Sequence, residues 1–448
     1  MGAGEAGGSS GLPDGLVAVV KRDCPTCVTV VPVLAELAAL GCSVYTQDDP
    51  DFPFEGAIDD TGLEVSWALG VETVPTLLRL EGGKESGRVA GWHRGRWEAL
   101  AGASGLGGGL PDQRPGCGSL TADPEIAALL SLRHRSGTLS ARRVELGPLE
   151  DELEAMWARG WTDGLPVVPP TEARVLAMLD GTARRPDEVV AVVPPNLVPV
   201  TVEKVAINAV MAGCRPEYLP VVLALVEASC TDAFNLHGVL ATTFSVGPVA
   251  IVNGPAAKAV GINSGVNLLG QGCRANSTIG RALQLVVRNV GGGRPGEVDR
   301  ATFGNPAKTG LCFAEDEEGS PWEPLAEARG APPGASAVTV FAGGGVRMVT
   351  DQKARTPEAL VETFARHVGS GDALLVVSPD HGRLFRDAGW SRSDLAAALE
   401  ELAPRPAAMC NDLLIAYAGG RAGLFSAVME GWLAGPSGSV PVTVEVRQ

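Results

Sequence analysis

Apolar residues along this chain recur with two different periods, and the alternation between them sets out its elements. Leu16–Val20 is a continuous apolar run stopped by Lys21-Arg22-Asp23, as in a buried strand, while the apolar positions from Val28 to Leu40 repeat at helical spacing. Downstream, LEVSWALGVETVPTLLRLEGGKESGRVAGW predicts a helix, a strand opened by Val74-Pro75-Thr76, a turn and a second strand. Periodicity is then lost in the Gly-, Pro- and Ser-rich stretch from Ala101 to Ser119, which predicts a flexible connecting arm. The charged helical pattern LGPLEDELEAMW, Leu146–Trp157, opens a larger region that RGAPPGAS, Arg329–Ser336, closes. Beyond Ala337, AVTVFA, LLVVSP, LLIAYA and VPVTVEV predict strands, separated by helical patterns at Pro357–His367, Ser393–Leu402 and Gly423–Leu433. Such alternation of strand and helix belongs to parallel sheets. The pattern thus predicts an α/β chain: a first domain over 12–103, a connecting arm over 104–145, a domain over 146–330, and a last domain over 331–448 built on a mainly parallel sheet.

A chain of 448 residues, 45% of them hydrophobic, has material for several cores. Its 52 acidic against 36 basic side chains leave a net charge of -16, which argues against nucleic acid or an anionic membrane as partner. Nine cysteines, an odd number thinly spread, read as free thiols with at most one redox pair. That usage suits a reducing cytosol, so a cytoplasmic protein is expected. The opening MGAGEAGGSSGLPDG has neither a basic cluster nor an apolar run, and no later segment reaches about 18 apolar residues unbroken. Neither export by a signal peptide nor membrane spanning is expected, and the tip is expected to be a disordered lead-in.

Chemistry concentrates first at Cys24-Pro25-Thr26-Cys27, which the pattern places at a strand-to-helix turn. There the helix dipole and unpaired N–H groups favour a thiolate, and Pro25 presets the turn. Cys24 is then the exposed nucleophile and Cys27 the resolving thiol, close enough to attack a mixed disulfide formed by its neighbour. Asp23 opposes the thiolate while Lys21 and Arg22 favour it, so the sign of the net shift stays open. A zinc half-site is the other use of such a pair, but zinc wants four ligands and no second close pair exists. With Val74-Pro75-Thr76 downstream and Pro32 five residues past Cys27, residues 12–102 resemble the thioredoxin family. The resemblance implies a cis-proline role for Pro75 and a helix-kinking role for Pro32. The chain departs from that family in carrying Asp23 where thioredoxins have Trp, and in an all-apolar strand where they bury an acid.

Cys117 lies in Arg114-Pro115-Gly116-Cys117-Gly118-Ser119, on the predicted arm. It reads either as an incidental cysteine in a glycine turn or as an exposed thiol whose tether gives it an effective concentration on the order of millimolar. The stretch GWTDGLPVVPPT, Gly160–Thr171, together with Gly423-Leu424-Phe425-Ser426-Ala427 and Gly431-Trp432, resembles bacterial proteins named for a UGSC motif, in which a cysteine or selenocysteine heads Gly-Ser-Cys. Here Cys117-Gly118-Ser119 matches and Leu120 replaces the last cysteine. The resemblance implies a reactive Cys117 whose missing partner the dithiol supplies.

Between Asn253 and Glu318 the chain is dense in Gly, Asn and charge. Arg274 and Asn276 precede a helical pattern over 279–287, and Arg274 with Arg281 form a candidate clamp for a carboxylate or phosphate, with Asn263 beside them. The same residues also read as an N-cap, Asn276 or Ser277, and a solvated face. Glu315-Asp316-Glu317-Glu318 is either a surface turn or a source of acid and base carboxylates, Glu315 and Glu318 at its ends, near Cys312 and His237. His381, in a loop after a strand, is a candidate acid or base facing the substrate, or a residue that caps a helix or sits in solvent.

These readings predict a thiol-redox enzyme in which Cys24 and Cys27 recycle Cys117 for a larger region acting on a small-molecule substrate. No bound cofactor or metal is predicted; electrons come from a low-molecular-weight thiol or from NADPH through a thioredoxin reductase. The alternatives are a non-redox lyase or hydrolase, with or without a metal, and a redox-sensing interaction protein. The sequence assigns no oligomeric state.

Overall fold

The computed structural model describes residues 14–127, 130, 139–147, 149–369, 371–404, 413–421, 423–432 and 438–447. The expected lead-in ahead of Asp14, part of the predicted arm and the end of the pattern at Leu433 lie outside them. The chain divides into two compact units, residues 1–137 and 138–448. Both mix helices and strands, so the chain is α/β.

In the first unit five strands form one sheet in the order β3-β2-β1-β5-β6: β1 (Gly15–Val20), β2 (Ser43–Thr46), β3 (Ile58–Asp59), β5 (Thr76–Glu81) and β6 (Lys84–Ala90). β1 runs parallel to β2, because the helices Pro25–Thr29 and Val31–Ala39 cross between them, and antiparallel to β5. The predicted single helix is broken at Val30, ahead of Pro32, whose ring supplies no backbone N–H. Val33, Leu34 and Leu37 of the second helix bury against Leu16–Val20, Leu77 and Leu78, each contributing about 1.5–3 kcal/mol of transfer free energy. Trp92 and Trp97 close the core edge to face, with ring centroids 5.1 Å apart.

The predicted arm is, over its first part, no free linker. Glu98 accepts the N–H groups of Gly105 and Leu106, and Leu106 enters the core. Gly107, at φ 60, lies so close to Val33 that an added Cβ would fall 2.7 Å from its Cγ2. The Trp92 indole donates to the Pro111 carbonyl. Two short pairings follow, β7 (Trp92–His93) with β8 (Gln113–Arg114), and β4 (Thr73–Val74) with β9 (Cys117–Gly118). The glycines that suggested flexibility serve close approach and left-handed turns. The domain therefore extends past 103 to at least the turn at Leu120–Ala122.

The second unit opens with the hairpin β10 (Val189–Val193) and β11 (Val198–Thr201) and builds two further sheets. One has the order β13-β12-β14-β19, from Leu311–Ala314, Gly247–Asn253, Ala337–Gly343 and Val442–Glu445; the other has β15-β18-β16-β17, from Val346–Thr350, Phe425–Glu430, Ala373–Val377 and Leu413–Tyr417. Strand periodicity assigns the faces. Val249 and Ile251 meet Leu374, Val376 and Met429 between the sheets, while Ala250 and Val252 face the helices Val202–Ala212, Leu219–Ser229 and Arg274–Val286. Leu375, Val377 and Tyr417 of the second sheet face the helices Pro357–Val368, Pro379–Asp387 and Arg392–Leu402. The layers run helix, sheet, sheet, helix.

Three expectations are corrected here. No domain boundary falls at 330, because β12 pairs with β14 from Gly247↔Gly343 to Asn253↔Ala337. The C-terminal sheets are mixed rather than mainly parallel: β12–β13 and β16–β17 are parallel, whereas β14, β15, β18 and β19 pair antiparallel. And Phe425–Glu430, read as helix, is a strand. Its backbone is satisfied on both sides by β15 and β16, a pairing that outweighs the helical spacing of its side chains. Among the described residues no helix is long and apolar enough to cross a membrane.

Candidate active site

The dithiol sits where β1 ends. Cys24 caps the helix Pro25–Thr29 from an extended backbone, and its Sγ accepts the Cys27 N–H at 3.4 Å. The same sulfur lies 3.5 Å from the carbonyl oxygen of Val74, and the Val74–Pro75 peptide bond is cis. Cys117 is brought to this point by strand pairing: in the β4–β9 register it stands directly opposite Val74. There its thiol and the Cys24 sulfur influence each other's ionisation. Cys24, expected to be exposed, is fully buried, because the strand carrying Cys117 covers it. Cys117 itself is half-buried against the core rather than mobile.

Polar contacts on both sides hold this strand. Thr26 of the Cys-Pro-Thr-Cys turn donates its hydroxyl to the Pro115 carbonyl at 2.6 Å, and Arg114 donates to Thr29 at 2.6 Å. Gln47, at the end of β2, donates to Ser119 Oγ at 2.7 Å and accepts the Leu120 N–H at 3.1 Å, while Ser119 donates its N–H to the Glu72 carbonyl. Gly116 is required by contact: a Cβ there would stand 2.4 Å from Thr73 Cγ2 and 2.7 Å from the Val74 oxygen. The glycines around Cys117 signalled close approach in the sequence; nothing there pointed to Gln47.

The hydrogen bonds decide the electrostatic question that Asp23, Lys21 and Arg22 left open. Burial pushes the Cys24 thiol up, but donation from the Cys117 thiol, the Cys27 N–H, the Cys27 thiol and the Thr26 N–H outweighs it and holds Cys24 below its ordinary value. Burial pushes Cys27 far up, and the neighbouring Cys24 charge adds to this. Cys117 is also raised, first by its hydrogen bond to Cys24 and then by burial. Of the three thiols, Cys24 is the one held below its ordinary value, and Cys27 and Cys117 are held above it.

The residues predicted for the second unit do not converge. Asn276 pins the loop before its helix, accepting the Asn263 N–H at 2.8 Å and donating to the Asn263 and Leu268 carbonyls. The helix starts at Arg274, with Cys273 at its cap position, ahead of the expected caps Asn276 and Ser277. Arg274 donates to the Gly213 carbonyl, and Arg281 forms a two-pronged pair with Asp163 at 2.8 Å on each prong. The predicted clamp of Arg274 with Arg281 is therefore not formed, since a half-buried guanidinium takes the nearest carboxylate and carbonyl oxygens. His381, 1% exposed, bonds Ser426 Oγ and the Asp351 carbonyl through its two ring nitrogens. Burial pushes it below its ordinary value, so it is a neutral core residue rather than an acid or base facing a ligand.

The acidic run is divided. Glu315 is buried and accepts from Arg392, the Leu325 and Tyr417 N–H groups and the Asn253 amide, joining both sheets to the helix Arg392–Leu402. Burial pushes its carboxyl up, against the pull of Arg392 and the three N–H donors. Glu318 is exposed and paired with Lys258. Cys312 is buried toward the helices, and His237 is exposed on the helix Leu236–Ala241, so neither meets a cluster of carboxylates. Among the described residues no group of three His, Cys, Asp or Glu side chains is placed to hold a metal ion.

The stretch GWTDGLPVVPPT instead lines a cavity of about 510 Å³, to which it gives Trp161, Pro169, Pro170 and Thr171. Asn208 and Asn289 also line it, the Asn289 amide donating to Asn208 Oδ1 at 2.9 Å and to the Trp161 carbonyl at 3.1 Å while its own Oδ1 is buried without a partner. Charged side chains, among them Arg142, Arg143 and Glu203, complete the lining of a cavity whose size suits a small molecule. Comparison with family models, with curated proteins and with solved structures finds no match to this chain.

Proposed function

We propose that the first unit is a thioredoxin-like dithiol module whose dedicated partner is Cys117 of the same chain, and that the protein is a thiol-redox enzyme acting on a small molecule. The observation that carries this reading is the strand pairing that sets Cys117 in register opposite Val74, whose carbonyl oxygen lies 3.5 Å from the Cys24 sulfur and which precedes the cis Pro75. In the proposed cycle Cys117 leaves its docked position, loses its proton and attacks a disulfide substrate, breaking its S–S bond to form a mixed disulfide while the other substrate sulfur leaves as a thiol with that proton. With a hydroperoxide it breaks the O–O bond instead, becoming a sulfenic acid as an alcohol leaves with the proton. On its return the Cys24 thiolate attacks the Cys117 sulfur, and the substrate thiol or water leaves with a proton. Cys27 then loses its proton and attacks Cys24, releasing Cys117 as thiol and leaving a Cys24–Cys27 disulfide. Two electrons from an external thiol, or from NADPH through a reductase, restore the pair. The cavity beside Trp161 is the proposed seat of the small molecule.

The test replaces the resolving thiol. In Cys27→Ser, after mild oxidation, peptide mapping without reduction is expected to find Cys24 joined to Cys117. Cys24 found free, or joined only to added thiols, would overturn the relay.

A further inference from the structure

Arg288 and Arg294 differ from the other half-buried guanidinium groups of the second unit, and of the two Arg288 lines a pocket. Arg281, seven residues earlier, is committed to Asp163, and Arg392 to Glu315. Arg288 lies where the helix Arg274–Val286 widens into a π-helical turn, Val287–Gly291, a feature that recurs at functional sites. Its Nε is buried without a hydrogen-bond partner, and among the described residues its side chain has no ion pair. Tight packing fixes the backbone that presents it: a Cβ on Gly291 would fall 2.3 Å from the Pro194 oxygen, and one on Gly292, at φ 80, 2.2 Å from the Asn196 amide nitrogen.

Arg288 lines a pocket of about 530 Å³ together with Asp163, Gln284, Asp299, Phe303 and Lys308. The other lining charges are matched, Asp163 by Arg281 and Lys308 by Asp299 at 2.8 Å. Among the described lining residues Arg288 therefore brings one uncompensated positive charge. A partly buried cation without a partner is costly in an empty pocket, and its planar fork of donors fits a carboxylate edge on. Phe303 is 94% exposed, so its ring covers no core and is open to the body of a ligand.

We propose that this pocket binds a small organic monocarboxylate, gripped by Arg288 in two-pronged fashion, with its apolar body against Phe303. One uncompensated charge calls for one negative charge, and a phosphate dianion would leave the pocket net negative. The proposal is independent of the thiol relay, since no cysteine lines this pocket.

Isothermal titration of the full chain with sodium benzoate, inorganic phosphate and benzyl alcohol tests it. Benzoate is expected to bind one to a chain, while neutral benzyl alcohol binds at least about tenfold more weakly, the scale of a charge-assisted hydrogen bond. Arg288→Met is expected to weaken benzoate by about tenfold or more, and Phe303→Ala, at a site that leaves the core intact, by a smaller factor. Should Arg288→Met fail to fold, Arg288→Lys keeps the charge, loses the fork, and is expected to weaken benzoate in the same direction. Absence of benzoate binding, or unchanged affinity in Phe303→Ala and the folded Arg288 variant, would overturn the site. Tighter binding of phosphate than of benzoate would overturn the carboxylate class and bring in Arg294, whose buried Nε also lacks a partner beside the pocket.

Discussion

Against the burial that raises it, Cys24 is held below its ordinary value by its neighbours, Cys117 first among them. The ultraviolet absorbance of the Cys24 thiolate is expected to reach half its maximum below the pH of an ordinary thiol. In Cys117→Ala that midpoint is expected to move up, because a donor to the anion is gone; an unmoved midpoint would mean that Cys117 does not touch Cys24 in solution. The same shift enters folding: a thiol whose value is lowered by folding contributes stability above its unfolded value, and that contribution is lost as pH falls through the folded one. Cys27, raised instead, contributes below its unfolded value and opposes folding as pH rises beyond it. The Cys24–Cys27 spacing and the turn that places them were legible in the sequence. The sign at Cys24 was not, since it depends on a thiol 93 residues away in sequence, the difference between positions 117 and 24.

Among elements, the two-residue strand Cys117–Gly118 has the largest consequence for its size. It is too short to hold by its own ladder, and side chains from the dithiol turn and from the end of β2 retain it. Gly116→Ala is expected to unseat it, since no L side chain fits between Thr73 and the Val74 carbonyl. Misplacing reacting sulfurs by about 1 Å costs on the order of a hundredfold in rate, so in a Gly116→Ala, Cys27→Ser chain the Cys24–Cys117 disulfide is expected to form about a hundredfold more slowly. Quenched-flow alkylation with peptide mapping reads that rate, and a rate equal to that of Cys27→Ser alone would show the glycine to be dispensable. Periodicity found β1, β14 and the helices Pro357–Val368 and Arg392–Leu402, but not the helices Val202–Ala212 and Leu219–Ser229 or the strand β12, which are buried on nearly every side and carry no clear period. It failed at Phe425–Glu430, where small and apolar residues fit either period and only the flanking strands decide between them.

For the molecule as a whole, Cys117 and the dithiol lie in one compact unit, so the proposed exchange is intramolecular. The rate of Cys24–Cys117 disulfide formation in Cys27→Ser is expected to stay constant across a dilution series, and a rate proportional to protein concentration would assign the exchange to pairs of chains. By itself the amino-acid sequence determined the α/β class, the dithiol at a strand-to-helix turn, Val74-Pro75 downstream of it and the suspicion attached to Cys117, because each is written in local spacing and residue type. Tertiary structure alone decided that the glycine-rich arm is a docked strand, that β12 and β14 join across the expected boundary at 330, and that Arg281, His381 and Glu315 are committed to internal partners. It also left Arg288, just past the helix where the sequence had pointed to Arg274 and Arg281, as a pocket-lining guanidinium without an ion pair among the described residues. The physical reason is the same in each case: whether a charged or polar group is available for chemistry depends on which distant group satisfies it, and that pairing is set by packing, which local spacing does not record.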